Sequence, residues 1–418
     1  MVSADPAEPP GRSIPPTVWA VAVEVVPVAV SLVFFLSLTR FIAPDAYGLM
    51  AATTALGTIS VPFATLGAGV VMWRGLGAGR DSRHAWTKAY SVSLVGPILA
   101  LAVWMLLRPV VLPSVEPFTF GLLLFQQLSV FVLTDLAATY FITTGRLQAA
   151  AGSRFVFAVF RLGAVLIFAL LPTRNLFTLA VVLSTVGLVS IFAVLLHLKR
   201  LASVDLRPRA VNRVELFEGV PDALGTSANG LLDVSDRPLL ARFGFEADGG
   251  RYAIGARLAL LANIPLLALL RPFDQPLGVA GAQSRQASWD LTRTILRRTV
   301  PVTAAISLLA LVLTPLIGVV LPEDYGESAD VVRLLLLLPI LRAFQYPIGN
   351  VLTIAGDRVP RTVITATALV ANFVANIIFI PRFSWRAAAW TTIGAEIFMT
   401  IAFFVVMKQR LAAEARGT

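Results

Sequence analysis

The chain has 418 residues, 57% of them apolar and 14% charged, with a mean hydropathy of +0.80. Soluble domains carry roughly 25% charged residues, so a water-soluble globule is excluded, and the length suits about twelve bilayer crossings of about 20 residues each. Cysteine is absent and His84 and His197 are the only histidines, which excludes disulfides, thiolate metal sites and cysteine nucleophiles and leaves little imidazole chemistry.

Residues 1–16 are polar and proline-rich, with Arg12 the one base and no small-residue cleavage site, and read as a cytoplasmic tail rather than a cleaved signal. Apolar stretches then predict helices over approximately 17–38, 47–72, 87–107, 118–141, 155–171 and 176–196. A polar, basic segment over 198–213 interrupts them. Six more follow, over approximately 220–240, 252–270, 300–321, 331–353, 363–380 and 387–407. The expectation is an all-α polytopic membrane protein of about twelve transmembrane helices. Residues 17–197 form a first lobe, 198–213 a cytoplasmic linker, 214–407 a second lobe and 408–418 a cytoplasmic tail.

The net charge of +10 would suggest nucleic acid in a soluble protein, but here the bases segregate between loops. One alternating set holds Arg74, Arg80, Arg83, Lys88, Arg146, Arg154, Lys199, Arg200, Arg207, Arg209, Arg213, Arg285, Arg293, Arg297, Arg298, Arg358, Arg361, Lys408, Arg410 and Arg416. The other holds only Arg40, Arg108, Arg174, Arg237, Arg242, Arg251, Arg382 and Arg386. Bases near span ends are retained on the cytoplasmic side. Both termini are therefore expected in the cytoplasm, with membrane lipid rather than nucleic acid beside the basic loops. Gly75 to Gly79 contains no GxxxxGK[ST] and follows no strand, so it is no phosphate loop.

The two halves repeat faintly. Arg40-Phe41 before Tyr47-Gly48-Leu49 matches Arg242-Phe243 before Tyr252-Ala253-Ile254, and Val110-Val111-Leu112-Pro113 matches Val319-Val320-Leu321-Pro322. Equivalent places after spans one and seven, and three and nine, imply a six-helix duplication with a cavity between pseudo-symmetric lobes.

A mid-span arginine costs about 2.5 to 3.5 kcal/mol on the insertion scale. Arg161, Arg257, Arg271, Arg333 and Arg342 are therefore expected to face one shared wet interior. Arg257 and Arg333 also lie close enough to span ends to snorkel, and Asp274 lies one turn from Arg271. The in-span acids Glu24, Asp135, Asp222, Asp233 and Glu396 either neutralise these arginines or act as gate or coupling groups for Na+ or H+. Glu24 precedes Pro27, a residue that permits bending.

The run Arg40-Phe-Ile-Ala-Pro-Asp-Ala-Tyr-Gly-Leu, followed by Thr65-Leu-Gly-Ala-Gly and Arg74, resembles the opening of bacterial polysaccharide flippases. Gly250-Arg-Tyr-Ala-Ile-Gly-Ala-Arg257 after Asp236-Arg237, and Pro322-Glu-Asp-Tyr-Gly, resemble later parts of the same proteins. These are the O-antigen and exopolysaccharide (Wzx-type) members of the multidrug/oligosaccharidyl-lipid/polysaccharide exporter (MOP) superfamily, and the similarity extends over essentially the whole chain. It implies a multi-pass protein of the bacterial cytoplasmic membrane, not an enzyme and needing no cofactor. Such a protein flips an undecaprenyl-type lipid-linked oligosaccharide to the outer leaflet by alternating access, possible partners including a polysaccharide polymerase. Arg161 and Arg342 foremost, with Arg257, Arg271 and Arg333, would bind the anionic head group, supplying charge neutralisation and bidentate phosphate hydrogen bonds. The alternatives are a cation-coupled multidrug exporter of the same superfamily and an integral-membrane glycan-modifying enzyme. Short outer loops and the lack of an in-span histidine weigh against the enzyme.

Overall fold

The computed structural model describes residues 16–77, 79, 81–212, 231–354 and 358–417, and among these every regular element is a helix. The first half comprises α1 (Pro16–Leu38), α2 (Pro44–Ala64), α3 (Ala68–Gly77), α4 (Ser82–Val111), α5 (Pro117–Phe125), α6 (Val132–Thr143), α7 (Leu147–Leu170) and α8 (Leu176–Ala202). A π-helical turn, Gln126–Phe131, joins α5 to α6 in one span. The second half contains α9 (Asp236–Arg242), α10 (Glu246–Leu260), α11 (Asn263–Leu270), α12 (Asp274–Gln283), α13 (Arg285–Val312), α14 (Ile317–Val320), α15 (Ser328–Leu335), α16 (Leu337–Ile354) and α17 (Arg358–Gly417).

Local chemistry sets the helix ends. Pro44 and Pro117 occupy first helical positions, where their missing N–H costs nothing. Glu116 caps α5 by accepting from the Phe118 and Thr119 amides at 3.2 and 2.9 Å, and these hydrogen bonds, with that from the Thr119 hydroxyl foremost, hold its carboxyl below the usual range. Asn175 caps α8 through the Thr178 amide at 2.8 Å, and Ser284 caps α13 through the Ala287 amide at 3.0 Å. At Ser384 the backbone turns to φ 51° and ψ −136°, dividing the 60-residue α17 into two helical segments.

Nine helical stretches among the described residues are long and apolar enough to cross a membrane. They coincide with ten of the predicted spans, because α17 accounts for the eleventh and twelfth together. The first predicted span is α1. The seventh falls mostly on residues outside those described, and its end is α9.

The duplication has a geometric counterpart where α2 crosses α10. A Cβ on Gly48 would sit 1.8 Å from the Glu246 carbonyl oxygen, and one on Gly250 would sit 2.0 Å from that of Pro44. Gly48 pairs with Glu246 as Gly250 pairs with Pro44, so exchanging the halves maps the contact onto itself. Only glycine permits backbones this close. Around the crossing, a core joins Phe34, Leu38, Tyr47 and Phe168 to Ala253, Ile254 and Tyr325 of the other half. The Tyr325 hydroxyl donates to the Ile42 carbonyl at 3.0 Å, and Arg40 donates to the Val320 carbonyl at 3.3 Å. The two halves therefore meet tightly at this end, called here the Tyr47 end.

The basic segment after the sixth span is partly helical and partly packed on the first half. Helix α8 continues to Ala202, and Ser203 ends it in the left-handed region at φ 51°. The chain then lies along the first half: Val204 is buried, Trp86 donates to the Asp205 carbonyl at 3.1 Å, and the Arg209 amide donates to Ser91 at 2.9 Å. Apolar Val204, Leu206 and Val211 pack on the core beneath, which hydropathy dominated by the intervening arginines conceals.

Candidate functional site

Three spans bring two arginines to one pair of aromatic rings. Helix α1 presents Phe34 and Phe35, whose rings meet edge to face at 4.9 Å. From α7, the Arg161 guanidinium lies 4.1 Å from the Phe34 centroid and 4.9 Å from that of Phe35. From α10, the Arg257 guanidinium lies 3.5 Å from the Phe35 centroid and donates to the Tyr47 hydroxyl of α2 at 2.6 Å. Tyr47 is fully buried and packs edge to face on Tyr325 at 5.9 Å.

Among the described residues no carboxylate comes within ion-pairing distance of either arginine. Arg161 Nε is buried without a hydrogen-bond partner. Its two ring contacts, at about 0.5 to 2 kcal/mol each, are of the same order as the about 2.5 to 3.5 kcal/mol that a mid-bilayer arginine costs, but they leave that N–H unpaired and the charge without a counter-ion. The two like charges also repel across a shared ring. An anion placed between them would remove both deficits through charge-assisted hydrogen bonds.

Arg342, expected to contact the same cargo, lies elsewhere. On α16 it is buried and donates from Nε to Glu396 of α17 at 2.8 Å and from Nη2 to Asp233. Its charge is answered by two carboxylates, so it is a structural cation rather than a ready anion site. The expectation that the in-span arginines share one vestibule is thereby corrected: a buried guanidinium settles on whatever acid its own helical bundle supplies, and the second half supplies Asp233 and Glu396. A cavity of about 250 Å³ adjoins the triad, lined also by Gln345, Tyr346 and Arg361. Arg361, placed in a loop by sequence, is half-buried there and donates to the Thr353 hydroxyl. Glu396 Oε2 is buried without a partner, so the triad has an open acceptor facing a small polar chamber. No cluster of three or more His, Asp or Glu that could hold a metal occurs among the described residues.

The remaining expected residues are scattered. Arg333 pairs with Asp330 one turn earlier and reaches Thr314 at 3.4 Å, both partners being half-exposed, which fits the snorkelling expectation and removes it from the site. Arg271 is exposed at the end of α11, and the Asp274 side chain proposed as its partner lies outside the described residues. Asp135 on α6 pairs with Arg154 on α7 at 3.2 Å, an ion pair within the first half. Asp222 and the side chain of Glu24 lie outside the described residues. Sequence reasoning missed Phe34, Phe35 and Tyr47 as site residues. Tyr47 stood in the Tyr-Gly pair already singled out, whereas the phenylalanines were indistinguishable from ordinary span residues.

No protein-family model matches the sequence, and no curated protein matches it significantly. Solved structures do match. An inward-facing multidrug resistance MATE family transporter of the MOP superfamily aligns over 96% of this chain and 99% of its own, with TM-score 0.69 and 14% identity. The lipid II flippase MurJ in an inward closed conformation aligns over 94% and 87%, with TM-score 0.67 and 12% identity. The chain has the fold of the MOP superfamily transporters. A further MOP superfamily transporter, from Pyrococcus furiosus, aligns over 95% and 94% with TM-score 0.54 and 15% identity, and its description reports a binding pocket of reverse polarity that suggests a different function. At these identities the likeness is one of fold. Nine helical stretches among the described residues are long and apolar enough to cross a membrane, and these structural neighbours are described as transporters and a flippase.

Proposed function

We propose that the chain is a flippase that carries a polyprenyl-(pyro)phosphate-linked oligosaccharide from the cytoplasmic to the outer leaflet by alternating access. One observation carries the reading: Arg161 and Arg257 share the Phe35 ring with no carboxylate in ion-pairing distance among the described residues. A pyrophosphate linkage supplies the missing negative charge, and bidentate guanidinium hydrogen bonding suits its oxygens. The lobes would divide at residues 198–213 and both termini would lie in the cytoplasm of a bacterium. The basic loops support that orientation, as do the MATE and MurJ structures, which are inward-facing and inward closed. The closed Tyr47 end then faces outward and opens as the head group leaves.

Asp233, Arg342 and Glu396 would serve as the coupling group. Two carboxylates on one guanidinium with an open Glu396 oxygen form a place for a proton or cation to bind and release. The same triad favours a second reading, a cation-coupled drug exporter, for which the carboxylates alone would suffice. Translocation of a lipid-linked sugar in proteoliposomes separates the two. The flippase reading expects transport that falls at least about tenfold in Arg161→Gln and Arg257→Gln. Drug export without sugar translocation would select the exporter.

A further inference from the structure

The two halves also meet along a second seam, remote from the Phe35 arginines. Leu56 of α2 and Trp104 of α4 face Leu239 of α9 and Leu369 and Phe373 of α17 across a groove of about 530 Å³. Ser235 and Arg242 are its remaining polar lining residues. Trp104 adds no free polar atom, because its indole N–H donates to Ser60 at 2.6 Å. Val110 and Val370 on the rim are 66% and 62% exposed, and both belong to membrane-spanning helices. The groove therefore opens to hydrocarbon. It runs from mid-span, at Leu56 and Leu369, to the Tyr47 end, where Arg242 closes α9. The Arg242 side chain is exposed and has no ion-pair partner among the described residues.

We propose that this seam groove binds the hydrocarbon tail of a single-chain polyprenyl phosphate, with the phosphate at Arg242. The inference rests on the flippase reading and adds where the carrier's tail lies at the Tyr47 end. Charge complementarity selects a phosphate-headed occupant: a lone arginine at headgroup depth, at the mouth of an apolar slot, pairs a phosphate as the chain enters. A slot of this size takes a stretch of one hydrocarbon chain, so the part of a polyprenyl tail nearest its phosphate lies in it and the remainder stays in the bilayer. Position selects the role. The walls belong to both halves, so rocking them widens or narrows the slot, and a tail held there stays beside the passage while its head group crosses.

The full-length protein, purified in detergent, is incubated with undecaprenyl phosphate bearing a diazirine on its tail, photolysed and mapped by peptide mass spectrometry. Label is expected on the peptides containing Trp104 and Phe373. Filling the slot with Leu239→Trp should lower that label about tenfold, and Arg242→Gln should weaken binding of the phosphate about tenfold. Val370→Trp, on an exposed rim position that cannot disturb the core, should reproduce the loss of label if Leu239→Trp fails to fold. Saturable label found elsewhere, or unchanged in the filled variants, overturns the groove and leaves the flippase reading standing. Equal competition by phosphatidylglycerol makes the slot a general lipid surface and also overturns the assignment. Absence of saturable label anywhere on the wild-type chain overturns both.

Discussion

Phe35 carries two guanidinium groups against its ring, and that arrangement dictates how substitutions there should behave. Replacing Phe35 with leucine removes the ring that both cations share, at an expected stability loss of about 1 to 3 kcal/mol from cation–π and packing terms together, read from thermal melting of the purified protein. Arg257→Lys keeps the charge but loses the planar stacking and the forked hydrogen bonding. It should fold as the wild type and still lose most transport. Arg342 behaves in the opposite sense. Arg342→Ala strands Glu396 and Asp233 without their cation and should cost about 3 to 5 kcal/mol, as breaking a buried pair does. Adding Glu396→Gln in the same background should restore part of that stability. If Arg342→Ala melts with the wild type while Arg161→Ala is strongly destabilised, the two arginines have been given each other's roles.

At the scale of elements, the α2–α10 crossing is the contact through which the Tyr47 end closes. A side chain at Gly48 or Gly250 would collide with the opposing backbone, so Gly48→Leu should hold that end apart. The chain contains no cysteine, which lets a single engineered pair report the distance. Arg40→Cys with Val320→Cys, at positions bridged by a hydrogen bond of 3.3 Å from the arginine side chain to the valine carbonyl, should be joined readily by a short bifunctional thiol reagent in the wild-type background and poorly with Gly48→Leu. Equal cross-linking in both would show that the crossing does not govern closure. Element positions were legible in the sequence because a stretch of about twenty apolar residues in lipid has one hydrogen-bonded solution, the helix. The docking of residues 204–212 was not, since three apolar side chains among arginines carry too little hydropathy to register. Nor did hydropathy show that the ninth predicted span belongs to a helix starting at Arg285, because polar residues extend a helix beyond the bilayer without changing its hydrophobic window.

For the whole molecule, composition and loop charge led to a multi-span helical architecture and the motif resemblance to the MOP-like one, and Gly48 and Gly250 make reciprocal contacts where the two halves cross. The site was legible only in kind. Arginines in spans announced an anion-related role, but sequence positions cannot tell a guanidinium stacked on phenylalanine from one tied to carboxylates fifty or a hundred residues away, as Arg342 is to Glu396 and Asp233. That distinction is tertiary, and it moved the weight of the proposal from Arg342 to Arg257. The most direct test is leaflet-to-leaflet transfer of a fluorescent polyprenyl-pyrophosphate oligosaccharide in proteoliposomes, comparing the wild type with the folded Arg161→Gln/Arg257→Gln double variant. Rapid transfer by the wild type, falling to the level of protein-free vesicles in the double variant, is the expected result. Transfer at the wild-type rate by the double variant would contradict the role given to these two cations.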